Sequence, residues 1–459
     1  MWKRVVPTSL SLLLLAGCGG GTSALMPSAN NGPAVTQATV VQAQAAGKIT
    51  HVVIIVQENR TLDNLFNGFP GADTVQQGLD HNGNTVNLVP RSFTDPEDPS
   101  HSYQSLLQEY AGGNMNGFDL NPVSLTILGG SGAPADYVYG YVPQSQTTIY
   151  WQLAKQYALA DRMFSTEMAP SFPGHLTLIG GQSNRIIGDP TDWNPMVNFV
   201  WGCDSPSGSV VDILNAQNQV VAGGGSPCTD FQTLGDMADQ KGVTWKYYSG
   251  WTDGLDLDGQ VSAYDAIKHI RYGPDWNKDV PQTWDREYQF YDDVNAKRLP
   301  QISWLTPPAL SSDHAGDLSD SGPDWVAQAV NAIEKSSTYA SNTAIIVTWD
   351  DSGGWYDHVV PPSFNGLNYG LRVPLLVISP FTKQGYVSHV THDFGSVLHF
   401  AEDAFGLNCI GPTDCNADDL SDMFVFTNGV RPFTLNLQPK RTLDQLKAMK
   451  STRPVDDDK

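Results

Sequence analysis

"HVVIIVQENRTLDNLFNGFPG", residues 51 to 71, runs five apolar β-branched residues straight into a glutamine, an acid and an amide. Val52 to Val56 show no alternation, the pattern of a strand covered on both faces. A strand of that kind predicts a sheet sandwiched between helices, and in such sheets the chemistry gathers beyond the carboxyl ends of the strands. Glu58 and Asn59 stand at that end. Two oxygen-bearing side chains in succession suit one hard cation, although "EN" also reads as a helix cap before "RTLDNLF".

Strand-like runs recur at "VTWKYY" (243–248), "ISWL" (302–305), "TAIIVTW" (343–349) and "RVPLLVISP" (372–380). Between them lie helical stretches at "FQTLGDMADQKG" (231–242), "GPDWVAQAVNAIEK" (322–335) and "DFGSVLHFAEDAFGL" (393–407). Alternating strands and helices predict an α/β fold, with a mostly parallel central sheet covered by helices on both sides. No second domain is legible.

"TAIIVTWDDSGGWYDHV" repeats the plan of the first strand. It ends on Asp350 and Asp351, turns on Gly353 and Gly354, and returns Asp357 and His358. Adjacent carboxylates repel unless a cation or hydrogen bonds hold them, so the doublet reads as a metal site more readily than as solvated turn acids. In "MAPSFPGHLTLIGGQS" (168–183), Ser171 sits at the start of a small apolar helix, either as a cap or as a hydroxyl facing an anion, with His175 nearby. His101 and His314, the latter beside Asp313, stand in polar loops, whereas His399 reads as helix packing.

The formal charge of −22 argues against nucleic acid as a partner. No obligate protein partner is evident. "MWKRVVPTSLSLLLLAGC" (1–18) has a basic start and a short apolar stretch, and resembles a bacterial lipoprotein signal with Cys18 as the lipidated residue. An ordinary secretory signal is the alternative. Gly19 after that cysteine favours the outer membrane, giving an exported, lipid-anchored envelope protein. Residues 19–48 read as a flexible tether, 49–435 as the catalytic domain and 436–459 as a charged tail. Of the remaining cysteines, proximity pairs Cys203 with Cys228 and Cys409 with Cys415, as disulfides of an exported chain.

Taken together, "ENRTLDNLFNGFPG", "HSYQSLLQEYAGGNMNGFD", "YALADRMFSTEMAPSFPGHLTLIGGQS", "LPQISWLTPP", "WDDSGGWYDHVVPP" and "GLRVPLLVISPFTKQGYVSH" resemble, in order, the bacterial phosphoesterase family of acid phosphatases and phospholipases C. That family is related to the alkaline phosphatase superfamily, and the matching pieces cover about residues 49 to 408. The resemblance implies an alkaline phosphatase-like fold and a metal-dependent hydrolase of phosphate esters working through a phosphoserine. It assigns Glu58, Asn59, Asp350 and Asp351 to one divalent metal ion and Ser171 to the nucleophile. His101, His314 and His358 match histidines around the phosphate. On chemical grounds His175, beside Ser171, reads as a further substrate contact, and His314 as acid for the leaving alcohol or as a clamp on the phosphate oxygens.

Oxygen-rich ligation admits calcium, magnesium or manganese, and a histidine ligand would admit zinc. Two departures stand out, Asp351 where the family often carries Glu and Gly174 where it carries Asn. The phospholipases C commonly continue into β-rich modules, whereas this sequence stops soon after "FTNGVRPFTLNLQP", so the expectation leans to an acid phosphatase-like phosphomonoesterase. A phospholipase C acting on phosphatidylcholine-like diesters is the alternative. A non-catalytic lipoprotein binding phosphorylated ligands is the third reading. The ligand is a phosphorylated small molecule or a phospholipid head group.

Overall fold

The protein is described by a computed structural model covering residues 45, 47–125, 133–134, 136–191, 201–249, 262–281, 286–427, 429–431 and 435–449. Its central sheet has seven strands, β1 (His51–Gln57), β2 (Ala158–Ala160), β3 (Trp245–Tyr248), β4 (Ile302–Leu305), β5 (Thr343–Trp349), β6 (Leu375–Ile378) and β7 (Tyr386–Ser388). They lie in the order β3-β4-β1-β5-β6-β2-β7. Neighbours pair in parallel except where β6 runs against β5 and β2. The mostly parallel α/β sheet expected from the sequence is therefore present, with one reversed strand inside it.

Burial explains why the first strand lacks alternation. Val52 to Val56 are each at most 1% exposed, and every residue of β5 is buried. Strands at the centre of a doubly covered sheet lose both faces to the core, and each buried Val or Ile then contributes about 1.5–3 kcal/mol. The covering helices include α1 (Thr148–Gln156), α2 (Ser171–Gly180), α3 (Leu234–Lys241), α4 (Arg286–Asn295), α5 (Gly322–Glu334) and α6 (Phe394–Phe405). Helix α2 is buried along its whole length, which is why its sequence is apolar all round. It stops at Gly181, whose φ of 63° supplies the left-handed cap.

Both expected disulfides form, Cys203–Cys228 and Cys409–Cys415. Part of the segment read as a charged tail packs against the body. Leu437 and Leu446 are buried, Asn331 Nδ2 donates to the Leu437 carbonyl at 3.1 Å, and Arg441 pairs with Asp324 at 2.9 Å. The packed body thus continues through Leu446, because two leucines and an arginine complement the outer face of α5. Cys18 and nearly all of the expected tether lie outside the described residues. No helix among the described residues is long and apolar enough to cross a membrane.

Candidate active site

Register brings the two strand ends together. In the parallel pair β1 and β5, Gln57 lies opposite Trp349, so Glu58 and Asn59 leave the sheet beside Asp350 and Asp351. The backbone locks the junction, with Asp350 N–H donating to the Gln57 carbonyl at 3.0 Å and Arg60 N–H to that of Asp351 at 3.1 Å. Asn59 adopts φ 62°, a turn that an asparagine tolerates. Gly353, at φ 59°, runs so close to it that a Cβ would meet the Asn59 carbonyl at 2.2 Å.

Each aspartate gives one oxygen to backbone amides and keeps the other off them. Asp350 Oδ1 accepts from the amides of Asn59 at 2.9 Å and Asp351 at 2.8 Å, while its Oδ2 is buried without a hydrogen-bond partner. Asp351 Oδ1 accepts from the Gly353 amide at 2.6 Å, and its Oδ2 is 3.0 Å from Ser171 Oγ. Asn59 Oδ1 is 3.1 Å from the same hydroxyl.

Ser171 is thus not a helix cap. Pro170 holds the cap position of α2, and the carboxylate of Asp189 accepts the Phe172 amide at 2.8 Å. The serine hydroxyl is left to face Asn59 and Asp351.

His175, one helical turn beyond Ser171, presents Nε2 at 3.1 Å from Glu58 Oε1 and 3.7 Å from Asp350 Oδ2. These contacts place it in the carboxylate cluster. Glu58, His175 and Asp350 each offer a donor atom within 4.8 Å of the other two. The i, i+4 spacing of Ser171 and His175 was the signal that could have grouped them.

Burial first, and the Glu58 charge next, push Asp350 up to about 8. Asp351 is raised by burial and then by Asp350, and burial lowers His175. Enclosed carboxyls gathered in this way resist ionising together, and a divalent cation reverses that penalty. The unpartnered Asp350 Oδ2 and the mixed oxygen and imidazole donors fit such an ion.

The remaining histidines separate. His101 Nδ1 faces the Pro99 carbonyl at 3.0 Å, which can only accept, so this nitrogen carries the hydrogen. Its Nε2 then accepts from Asn59 Nδ2 at 2.7 Å, which turns Asn59 Oδ1 toward Ser171. His314 packs edge-on to His101 at 5.7 Å between ring centroids, and its Nδ1 donates to the Ala315 carbonyl at 2.6 Å. Its neighbour Asp313 points away, into Tyr150 Oη at 2.6 Å and Trp349 Nε1 at 3.2 Å, and so anchors the loop.

His358 is not brought to this cluster by its contacts. Its Nδ1 pairs with Asp63 at 2.6 Å and its Nε2 with Asp73 at 3.2 Å, beside the buried Arg372–Asp357 pair. The chain turns at Gly353 and Gly354 and carries His358 to these partners.

Glu109 escaped sequence reasoning. It is fully buried, accepts from Asn121 Nδ2, and burial pushes it up to about 8, with the Asp351 charge adding a smaller push. An acid on the apolar stripe shared with Leu106 was its signal.

A mostly parallel sheet here sets a hydroxyl against oxygen-rich strand ends, and the family match makes the class a hydrolase acting on phosphate esters. The chain belongs to the Phosphoesterase family, whose model matches residues 49–408. It is 24% identical to phospholipase C A of Mycobacterium tuberculosis over 443 residues, covering 84% of this chain and 79% of that protein. It is 23% identical to the non-hemolytic phospholipase C of Pseudomonas aeruginosa over 434 residues, covering 83% and 58% respectively. A solved alkaline phosphatase superfamily protein from Vibrio parahaemolyticus aligns over 82% of this chain and 71% of its own, at 12% identity and a TM-score of 0.38.

Proposed function

We propose that the chain is a phospholipase C-type phosphodiesterase that passes the phosphoryl group through Ser171. The observation that supports this reading is the Ser171 hydroxyl held between Asn59 Oδ1 and Asp351 Oδ2 at 3.1 and 3.0 Å, beside a buried acid cluster. The substrate class follows the names of the relatives, which are phospholipases C, and replaces the acid phosphatase expected from the end of the sequence.

In this mechanism Asp351 Oδ2 accepts the hydroxyl hydrogen as Ser171 Oγ bonds to phosphorus and the bond to the leaving alcohol breaks. The alcohol oxygen takes a proton, for which His314 is the candidate donor, and water then cleaves the phosphoserine to regenerate the hydroxyl. Glu58, Asn59, Asp350 and Asp351, joined by His175, would hold a divalent ion. Such an ion supplies positive charge against the non-bridging oxygens when bound. His101 acts one step back, by orienting the Asn59 amide.

A second reading, an acid phosphatase, draws on Asp351 standing where the family often carries Glu. Metal-replete protein assayed on phosphatidylcholine and on p-nitrophenyl phosphate separates the two. Diacylglycerol release supports the phospholipase, and turnover of the monoester alone supports the phosphatase. Ligand retention without turnover of either supports the binding lipoprotein.

Lipid anchoring through Cys18 belongs to the same proposal, carried by "LAGC" and the small polar stretch after it. Cys18→Ser should release protein from the membrane fraction or block maturation. Unchanged fractionation and mature mass would refute it.

A further inference from the structure

We propose a second metal site, sharing no residue with the Ser171 cluster, in which His392, Asp418 and Asp422 bind a zinc-class divalent cation. One donor atom from each lies within 4.8 Å of the other two. The His392 side chain is 0% exposed, while those of Asp418 and Asp422 are 29% and 20% exposed, which leaves the cluster a path to solvent. The aspartates belong to the loop that follows the Cys409–Cys415 disulfide, and His392 stands between β7 and α6.

Hydrogen accounting leads to the ion. Ser388 Oγ donates its single hydrogen to Asp422 Oδ2 at 2.6 Å, and Tyr386 Oη gives that oxygen a second at 3.1 Å. Ser388 Oγ can then only accept from His392 Nε2, 3.1 Å away, so in a neutral ring Nε2 carries the hydrogen. Nδ1 is left with its lone pair facing Asp418 Oδ1 at 3.0 Å. Asp422 Oδ1 is buried without a hydrogen-bond partner, 3.7 Å from the other ring nitrogen.

Two acceptors opposed at that distance need either a hydrogen or a cation between them. A proton on Nδ1 would satisfy Asp418 and leave Asp422 Oδ1 orphaned. A cation on Nδ1 and Asp418 has Asp422 at hand as a third ligand, since one donor atom of each residue lies within 4.8 Å of the other two. Asp418 is already held in place, since its Oδ1 also accepts the Leu420 amide at 2.8 Å.

An imidazole among carboxylates suits zinc or manganese, whereas calcium and magnesium prefer oxygen throughout. Bound there, the ion would clip the loop carrying Asp418 and Asp422 onto the sheet edge at β7. Ser388 is not a nucleophile in this arrangement, because it is fully buried and its hydrogen is spent on Asp422.

The test counts metal in chelated full-chain protein reloaded with ZnCl2, then with MnCl2, and desalted. His392→Gln and Asp422→Asn should each retain about one ion per chain fewer than wild type. Asp350→Asn should lose a different one, and its combination with His392→Gln should lose both. Because the two sites are counted independently, failure at the Ser171 cluster leaves this proposal standing. Wild-type metal content in both His392→Gln and Asp422→Asn would mark adventitious binding and overturn it. Should those variants not fold, wild-type crystals soaked in ZnCl2 decide at the zinc absorption edge. An anomalous peak bonded to His392 supports the site, and none there overturns it.

Discussion

Ser171 Oγ lies 3.0 Å from Asp351 Oδ2, although 180 residues separate the two in sequence. The contact couples the start of a buried helix to the end of a buried strand, and neither group has a packing reason to face the other. Ser171→Ala should lower kcat by at least ~10³-fold while leaving metal content and the unfolding midpoint near wild type. Mass spectrometry of wild type quenched during turnover should find a phosphate adduct on the Ser171 peptide, absent in the variant. Full activity of Ser171→Ala would end the mechanism.

Asp350 and Asp351 should fail in distinguishable ways. Asp350→Asn removes charge from the oxygen that faces Glu58 and His175, so bound metal and rate should fall together. Asp351→Asn also removes the acceptor of the serine hydrogen, so its rate should fall further than its metal content. Metal analysis beside single-turnover kinetics checks the difference, and equal retention of both properties by both variants would remove the pair from the site.

Gly174 sits where α2 crosses the strand end, and a Cβ there would meet the Asp350 carbonyl at 2.7 Å. That contact is with backbone, which cannot swing aside. Gly174→Ala should cost about 1–3 kcal/mol of stability and lower activity through displacement of Ser171 and Asp350. Urea unfolding together with kcat reads both effects, and a variant unchanged in both would show that the helix can shift freely. It follows that a larger residue at 174 needs a different helix placement.

His358 should matter to stability rather than chemistry. Burial lowers its pKa, but Asp63 outweighs that and raises it above the ordinary value. Its contribution is therefore full below about pH 6.5 and fades as pH rises through the folded value. His358→Ala should destabilise by about 1–3 kcal/mol at pH 6, less at pH 8, with kcat within about tenfold of wild type. A drop of several orders of magnitude in kcat, with the fold intact, would return His358 to the active site.

Glu402, buried on α6, is pushed up to about 10 by burial and then by Asp414 and Asp403. The native state keeps a proton that the unfolded chain releases near pH 4, so this group costs stability increasingly as pH rises from about 4 toward 10. Glu402→Gln preserves the neutral form. It should gain on the order of 2 kcal/mol at pH 8 and little at pH 4, read from urea midpoints at the two values. A loss at pH 8 would contradict the sign.

Much of the protein was legible in one dimension, because its strongest signals are local. Val52 to Val56 and Ala344 to Val347 lack alternation since both faces are buried, and that alone implies a doubly covered sheet. The acid and amide that follow the first strand, and the acid pair that follows Trp349, mark where chemistry sits in such a sheet, and the nearest-neighbour cysteine pairs are local too.

What the sequence could not supply was direction and partnership. That Gln57 lies opposite Trp349 is a property of strand register, and only this register puts Glu58 and Asp350 at one site. The reversal of β6, the turn that sends His358 to Asp63 instead of Ser171, and the approach of His392 to Asp418 all depend on contacts between distant segments. Local patterning records which residues are buried or polar. Which polar group meets which is decided only when packing fixes the segments in space, since a buried polar atom takes whatever partner the fold brings to it.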